Sequence, residues 1–178
     1  KCDLFGRNYV PCVVATGSAH DDLTEHYAAI PRDMEAVARG MGSHRLIEHR
    51  PEEFSMAMPR LRKAGVSDRA LLRAMHFYAE NDRVQRAVFA LEQDDLTGFF
   101  RMLYESGHSS WRLLQNISVP GATEQTLALA LAETERLING RGACRVHGGG
   151  FAGTILAFVP NAAIRDYIPR MEALFGKG

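Results

Sequence analysis

The sequence lacks a charge excess, with Lys plus Arg and Asp plus Glu at 21 each in 178 residues. A chain without a basic field cannot concentrate a polyanion, so nucleic acid is not an expected partner. Long hydrophobic runs are missing too. The longest, Thr126 to Ala132 and Phe151 to Pro160, fall well short of the ~20 residues that a bilayer crossing needs, and no membrane partner is expected. Cysteine is scarce. Cys2, Cys12 and Cys144 are odd in number and far apart, which points to neither a disulfide framework nor a Cys-x-x-Cys metal site. The opening Lys-Cys-Asp carries no basic and apolar leader, and the expected compartment is the cytoplasm. What the chain does hold is 46% apolar residues. At this length that suffices for one domain with one substantial core, since domains run to roughly 100–200 residues.

Hydrophobic periodicity orders the chain. Tyr9 to Thr16 is rich in Val and breaks at Gly17-Ser18, as a strand would, with Pro11 placing it at a beginning or an edge. A helix starts near Asp22 or Thr24. Tyr27, Met34, Val37, Ala38 and Met41 recur on its apolar face until Gly42, and Pro31 marks a kink or a late start. Pro51-Glu52-Glu53 and Met58-Pro59 read as two short helix starts. Ser67-Asp68 caps the longest helix, which runs through Leu71, Leu72, Met75, Phe77, Val84, Val88 and Leu91. Asp94-Asp95 caps the next, carrying Leu96, Phe99, Phe100, Leu103 and Tyr104, and Gly107 interrupts it before Trp111, Leu113 and Leu114. Thr123 opens a helix over Leu127 to Ile138, closed by Gly140. Two β-like runs, Ala143 to Val146 and Thr154 to Val159, flank a glycine-rich loop, and a last helix covers about Ala162 to Phe175. The expected fold is α+β, an antiparallel sheet covered by several helices, with no internal repeat.

The loop Gly148-Gly149-Gly150-Phe151-Ala152-Gly153 matches G-x-G-x-x-G in form. A dinucleotide fingerprint requires a helix after the loop, whereas a strand-like run follows here, so a Rossmann site is rejected. Three successive glycines bare their backbone N–H groups and reach positive φ, which lets such a loop approach a phosphate or sugar closely. A wide hairpin bend would use the same glycines.

Arg145 to Thr154, with His147 before the three glycines and Phe151-Ala152-Gly153 after them, resembles the third motif of the GHMP kinases in its galactokinase form. Three further segments are similar to that family and stand in its order. They are His76-Phe77-Tyr78-Ala79-Glu80-Asn81-Asp82-Arg83-Val84, Glu105-Ser106-Gly107-His108-Ser109-Ser110, and Glu25-His26-Tyr27. The resemblance implies that residues 1–178 form a ferredoxin-like GHMP kinase C-terminal domain. The family's N-terminal sugar motif, nucleotide loop and catalytic Asp are not recognisable, nor is its usual strand after the last helix. The chain also departs from the family at His147, at Ala152 and over Val119 to Glu124, which bears on substrate choice.

What the resemblance implies for function is ATP-dependent phosphorylation of galactose to galactose 1-phosphate by the full-length enzyme, with ATP and Mg²⁺ as its cofactors. Galactose or a related sugar and the protein's own N-terminal domain would be the partners. Tyr27 would contact the sugar, and His147, Gly148, Gly149, Gly150, Phe151 and Gly153 would form the phosphate-side loop. No catalytic residue and no metal ligand is expected on this chain, and no tightly bound cofactor. Other readings stay open. They are a related kinase acting on another sugar or small alcohol, a non-catalytic sugar-responsive regulator, and a free-standing binding module.

The residues themselves allow simpler roles. Periodicity alone makes Tyr27 a buried helix residue with a polar tip. His76 and Glu80 lie one turn apart as two metal ligands would, but Arg83 beside them favours an ion pair. His147 can reach a phosphate or cap the strand end. Glu105, Ser106, His108 and Ser109 form no nucleophile elbow, so a hydrolase is rejected. The seven methionines read as core filler.

Overall fold

The computed structural model describes residues 5–17 and 23–177. Cys2, Ser18 and Asp22 lie outside them. The order is β1 (Tyr9–Ala15), α1 (Thr24–Gly40), α2 (Pro51–Lys63), α3 (Asp68–Glu92), α4 (Leu96–Ser109), α5 (Thr126–Ile138), β2 (Ala143–His147), β3 (Thr154–Pro160) and α6 (Ile164–Phe175). The strands form one antiparallel sheet in the order β1-β3-β2, with Tyr9 opposite Pro160 and His147 opposite Thr154. This is the expected α+β architecture. Among the described residues no helix is long and apolar enough to cross a membrane.

The sheet explains the strand patterns. β3 lies between the other two strands and is covered on both faces, which is why it reads as an unbroken apolar run. Ile155, Ala157 and Val159 join the core under α5 and α6, while Leu156 and Phe158 face α4 with Phe100 and Ala143. β1 is an edge strand with alternating burial. An edge position tolerates Pro11, since no ladder bond is lost on the open side. A separate core, built on Val37, Ala38, Phe54, Leu61, Leu71 and Ala74, joins α1, α2 and α3.

Several boundaries differ from the sequence expectation. Met58-Pro59 starts no helix, because α2 runs through it. Ser55, the residue whose carbonyl Pro59 leaves unbonded, is exposed with Pro59 on one helix face, which puts that carbonyl on the solvent side of the helix. Likewise α1 starts at Thr24, passes through the exposed Pro31 and ends at Gly40. Thr123 precedes α5, which opens at Thr126 and closes on left-handed Asn139 (φ 47°) ahead of Gly140. Gly107 does not interrupt α4. A Cβ there would stand 2.9 Å from the Cys144 carbonyl oxygen and 3.4 Å from Arg145 Cα, so this glycine is what lets α4 lie directly on β2. The methionines also divide. Met102 and Met171 are buried, whereas Met56 and Met75 are exposed, as are Val84, Val88 and Phe89 on α3.

Ion pairs fix helix to helix. Glu133 on α5 accepts from Arg136 (2.8 Å) and from Arg170 on α6 (2.6 Å). Hydrogen bonds from Arg136 and then Arg170 pull its carboxyl from the ordinary 4.5 down to about 2. A depressed carboxyl stabilises the fold fully above the unfolded value and loses that contribution as pH falls through the folded one. Acid unfolding followed by circular dichroism should therefore show Glu133→Gln flatter than the wild type between about 4.5 and about 2. Parallel curves across that window would contradict the pairing.

Candidate functional site: the glycine loop and its clamps

The loop between β2 and β3 is held from three distant places. Tyr27 on α1 donates its hydroxyl to the Gly150 carbonyl at 2.8 Å, across 123 positions of sequence. The Asn116 amide donates to the Gly149 carbonyl at 3.0 Å, and the Asn116 carbonyl accepts from the Phe151 N–H at 2.5 Å. Thr16, at the end of β1, donates both its N–H and its hydroxyl to the Gly153 carbonyl at 2.9 Å, and Thr126 at the start of α5 donates to the Thr16 hydroxyl at 3.2 Å. Every clamp is polar and meets the loop at a main-chain N–H or carbonyl.

Glycine is required at two of these positions for different reasons. Gly150 has φ +86°, and a Cβ there would meet the Asn116 carbonyl at 2.1 Å and its amide nitrogen at 2.6 Å. Gly149 has no positive φ, but its Cβ would press on the Tyr27 ring at 2.6 Å. Phe151 also takes a left-handed φ of 59°, unusual for a bulky residue and a place where strain is stored. Its buried ring pays for this by packing edge-on against Tyr27, with centroids 5.5 Å apart, and against His26 at 5.4 Å.

The structure brings Tyr27, Gly149, Gly150 and Phe151 together. Tyr27 is 41% exposed and is no buried core residue. His147 stands apart, exposed, with Nδ1 3.2 Å from the Thr154 hydroxyl across the β2–β3 ladder. Gly148 and Gly153 have positive φ with open space where a Cβ would go. Asn116 was missed by sequence reasoning. It is 2% exposed, and its Oδ1 is buried without a hydrogen-bond partner. No motif flags it. It follows the π-helical turn Ser110–Leu114 and left-handed Gln115, an irregular path that periodicity does not foresee. Among the described residues, neither the Gly149 nor the Gly150 N–H donates to a protein acceptor.

Behind the loop lies a polar network that joins α3, α4 and β2. Glu80 pairs with Arg83, accepts the Ser106 hydroxyl at 2.5 Å and lies 3.5 Å from Arg145. His76 Nδ1 is 2.9 Å from the Ser109 hydroxyl. Burial, the largest effect, holds the His76 pKa below its ordinary value; Glu80 pulls the other way, and the positive charges of Arg83 and Arg145 reinforce the burial. Glu80 thus makes the expected ion pair with Arg83, whereas His76 turns to the Ser109 hydroxyl. Among the described residues no three His, Cys, Asp or Glu side chains cluster as a metal site. The loop does fit a phosphate group, since two unengaged N–H donors stand on a fixed backbone.

Comparison with known proteins agrees with this picture. No family model matches the chain. It is 30% identical over 158 residues to a galactokinase of Glaesserella parasuis, covering 89% of this chain and 39% of that protein. A Haemophilus influenzae galactokinase is 33% identical over 150 residues, covering 84% and 37%. An Actinobacillus pleuropneumoniae galactokinase is 30% identical over 167 residues, covering 94% and 41%. The chain therefore spans about two fifths of the length of the curated relatives it matches. The fold superposes on a Lactococcus lactis galactokinase solved with galactose, with a TM-score of 0.74 at 22% identity over 95% of this chain and 42% of that one. By sequence and by fold, the chain resembles the C-terminal part of the galactokinases, within the GHMP kinases, over most of its length.

Proposed function

We propose that this chain is the C-terminal part of a cytoplasmic galactokinase, a protein that transfers the ATP γ-phosphoryl group to galactose and gives galactose 1-phosphate. The observation that carries the reading is the joining of Tyr27 to Gly150, which unites the segment similar to the family's sugar-contacting region with the segment similar to its glycine motif. ATP with Mg²⁺ supplies the phosphoryl group and the metal charge. Residues 1–178 form the C-terminal domain, and the base, nucleotide loop and metal ligands belong to the N-terminal half. Phosphoryl transfer depends on positioning and on neutralising phosphate charge. The Gly149 and Gly150 amides suit that role as fixed donors.

Tyr27 has a defined polarity in this site. Its only proton goes to the Gly150 carbonyl, so towards a sugar hydroxyl it acts as an acceptor. The Tyr27→Phe protein should raise KM for galactose by a factor corresponding to ~0.5–1.5 kcal/mol, the worth of one neutral hydrogen bond. A lowered melting temperature with unchanged KM would assign the hydroxyl to holding the loop alone.

The reading is tested by a coupled assay on the whole reading frame that contains this chain. Galactose-dependent ADP release is expected there, and none from the 178-residue chain by itself. A whole protein that binds galactose but releases no ADP would be a sugar-responsive regulator instead.

A further inference from the structure

The far end of the sheet carries a second concave site. The glycine loop joins one end of β2 and β3, whereas Tyr9, Gly142 and Pro160 stand at the other end and line a cleft of about 1030 Å³. That is at the upper end of the roughly 300–1,000 Å³ that small-molecule sites occupy. Arg7, Arg101 and Arg141 all line it. Arg7 is engaged by Asp94, and Glu135, the acidic residue of the lining, is met by His108 at 3.1 Å. Arg101 and Arg141 are exposed and have no carboxylate partner among the described residues. In a chain of zero formal charge, two unpaired guanidiniums in one cleft are a local positive field.

The cleft is also aromatic. Tyr104 is 45% exposed, with the His108 ring packed on it at 4.2 Å. Tyr9 packs on Phe100 at 4.5 Å, and Phe100 in turn on Phe158 of the central strand at 5.7 Å. The Tyr9, Phe100 and Phe158 rings are held in the core. Left-handed Asn8 (φ 66°) and Asn139 (φ 47°), both lining residues, set the backbone at either side. We propose that this cleft binds a small ligand carrying a phosphate group on a flat aromatic ring. Arg101 and Arg141 would take the phosphate by charge-assisted forks and Tyr104 the ring.

The site lies apart from the glycine loop and needs no sugar, so it stands or falls independently of the kinase reading. The test is a titration of the purified chain with 1-naphthyl phosphate, followed by calorimetry and by NMR shifts of Tyr104 and Gly140. Saturable binding with Kd ~0.1–1 mM is expected. Arg101→Ala and Arg141→Ala should each weaken it about tenfold, as loss of a charged hydrogen bond does. Tyr104→Ala should weaken it about fivefold, and 1-naphthol or inorganic phosphate should bind at least tenfold more weakly. All three residues lie on the surface, and unchanged melting of the variants checks that they fold. No saturation by ~10 mM, affinity unaltered in Arg101→Ala, or shifts confined to residues 148–153 would each overturn the proposal. Tighter binding of a glutamate-rich peptide that survives Tyr104→Ala would assign the cleft to a protein partner and overturn it too.

Discussion

Gly150→Val is expected to be the most damaging single change in the loop, lowering stability by about 3–5 kcal/mol. Two causes add. The residue must keep φ +86°, which costs an L-residue roughly 1–2 kcal/mol, more with a branched Cβ. The new atom would also lie 2.1 Å from a main-chain carbonyl, that of Asn116, which cannot rotate away as a side chain can. Relaxing the overlap means releasing the Asn116 clamp and the Tyr27 bond together. Gly149→Val should cost less, about 1–2 kcal/mol, because its obstacle is the edge of the Tyr27 ring and no positive φ is demanded. Urea unfolding of the two variants ranks them, and equal losses would show that the Asn116 contact does not hold Gly150. In the longer kinase, either change should lower kcat for galactose phosphorylation while KM changes less, since the loop's donors act where charge develops in the transition state.

Asp33→Ala should cost about 3–5 kcal/mol by a different route. Arg73 is 3% exposed, and its guanidinium rests on Asp33 at 2.8 Å and on the Leu114 carbonyl at 3.1 Å. Burial dominates its environment and pulls its pKa below the usual arginine value, against the opposing attraction of Asp33. Removing the carboxylate leaves a buried positive charge without its counterion. Arg69 also meets Asp33, at 2.7 Å, but from a half-exposed position, so Arg69→Ala should cost under about 1 kcal/mol. The effect should travel. Leu114 lies two residues before Asn116, so a loosened Arg73 frees the segment that clamps the loop. Hydrogen exchange at the Phe151 amide should quicken in Asp33→Ala, while an unchanged rate would show that the two clamps are independent.

The sequence by itself determined those features whose cause lies within a turn or two of chain. Ser67 and Asp95 accept from the N–H groups of Ala70 and Gly98, three residues on, and the capping signal was readable because capping is local. The two strands around a glycine loop, the rejection of a Rossmann turn and the galactokinase resemblance rested on contiguous residues in the same way. Tertiary structure alone decided the rest. Gly107 reads as a helix break until β2 is brought under α4. Pro31 and Pro59 read as boundaries until their faces prove exposed, and Val84 and Val88 read as core until they too prove exposed. The site's clamps come from Thr16, Tyr27 and Asn116, which lie 137, 123 and 33 positions from their partners. Such contacts repay a loop-closure entropy that the whole fold supplies, and no periodicity in a short window encodes them. Asn116 shows this most plainly, since its role depends on an irregular turn, on burial and on a glycine 34 residues away having no side chain.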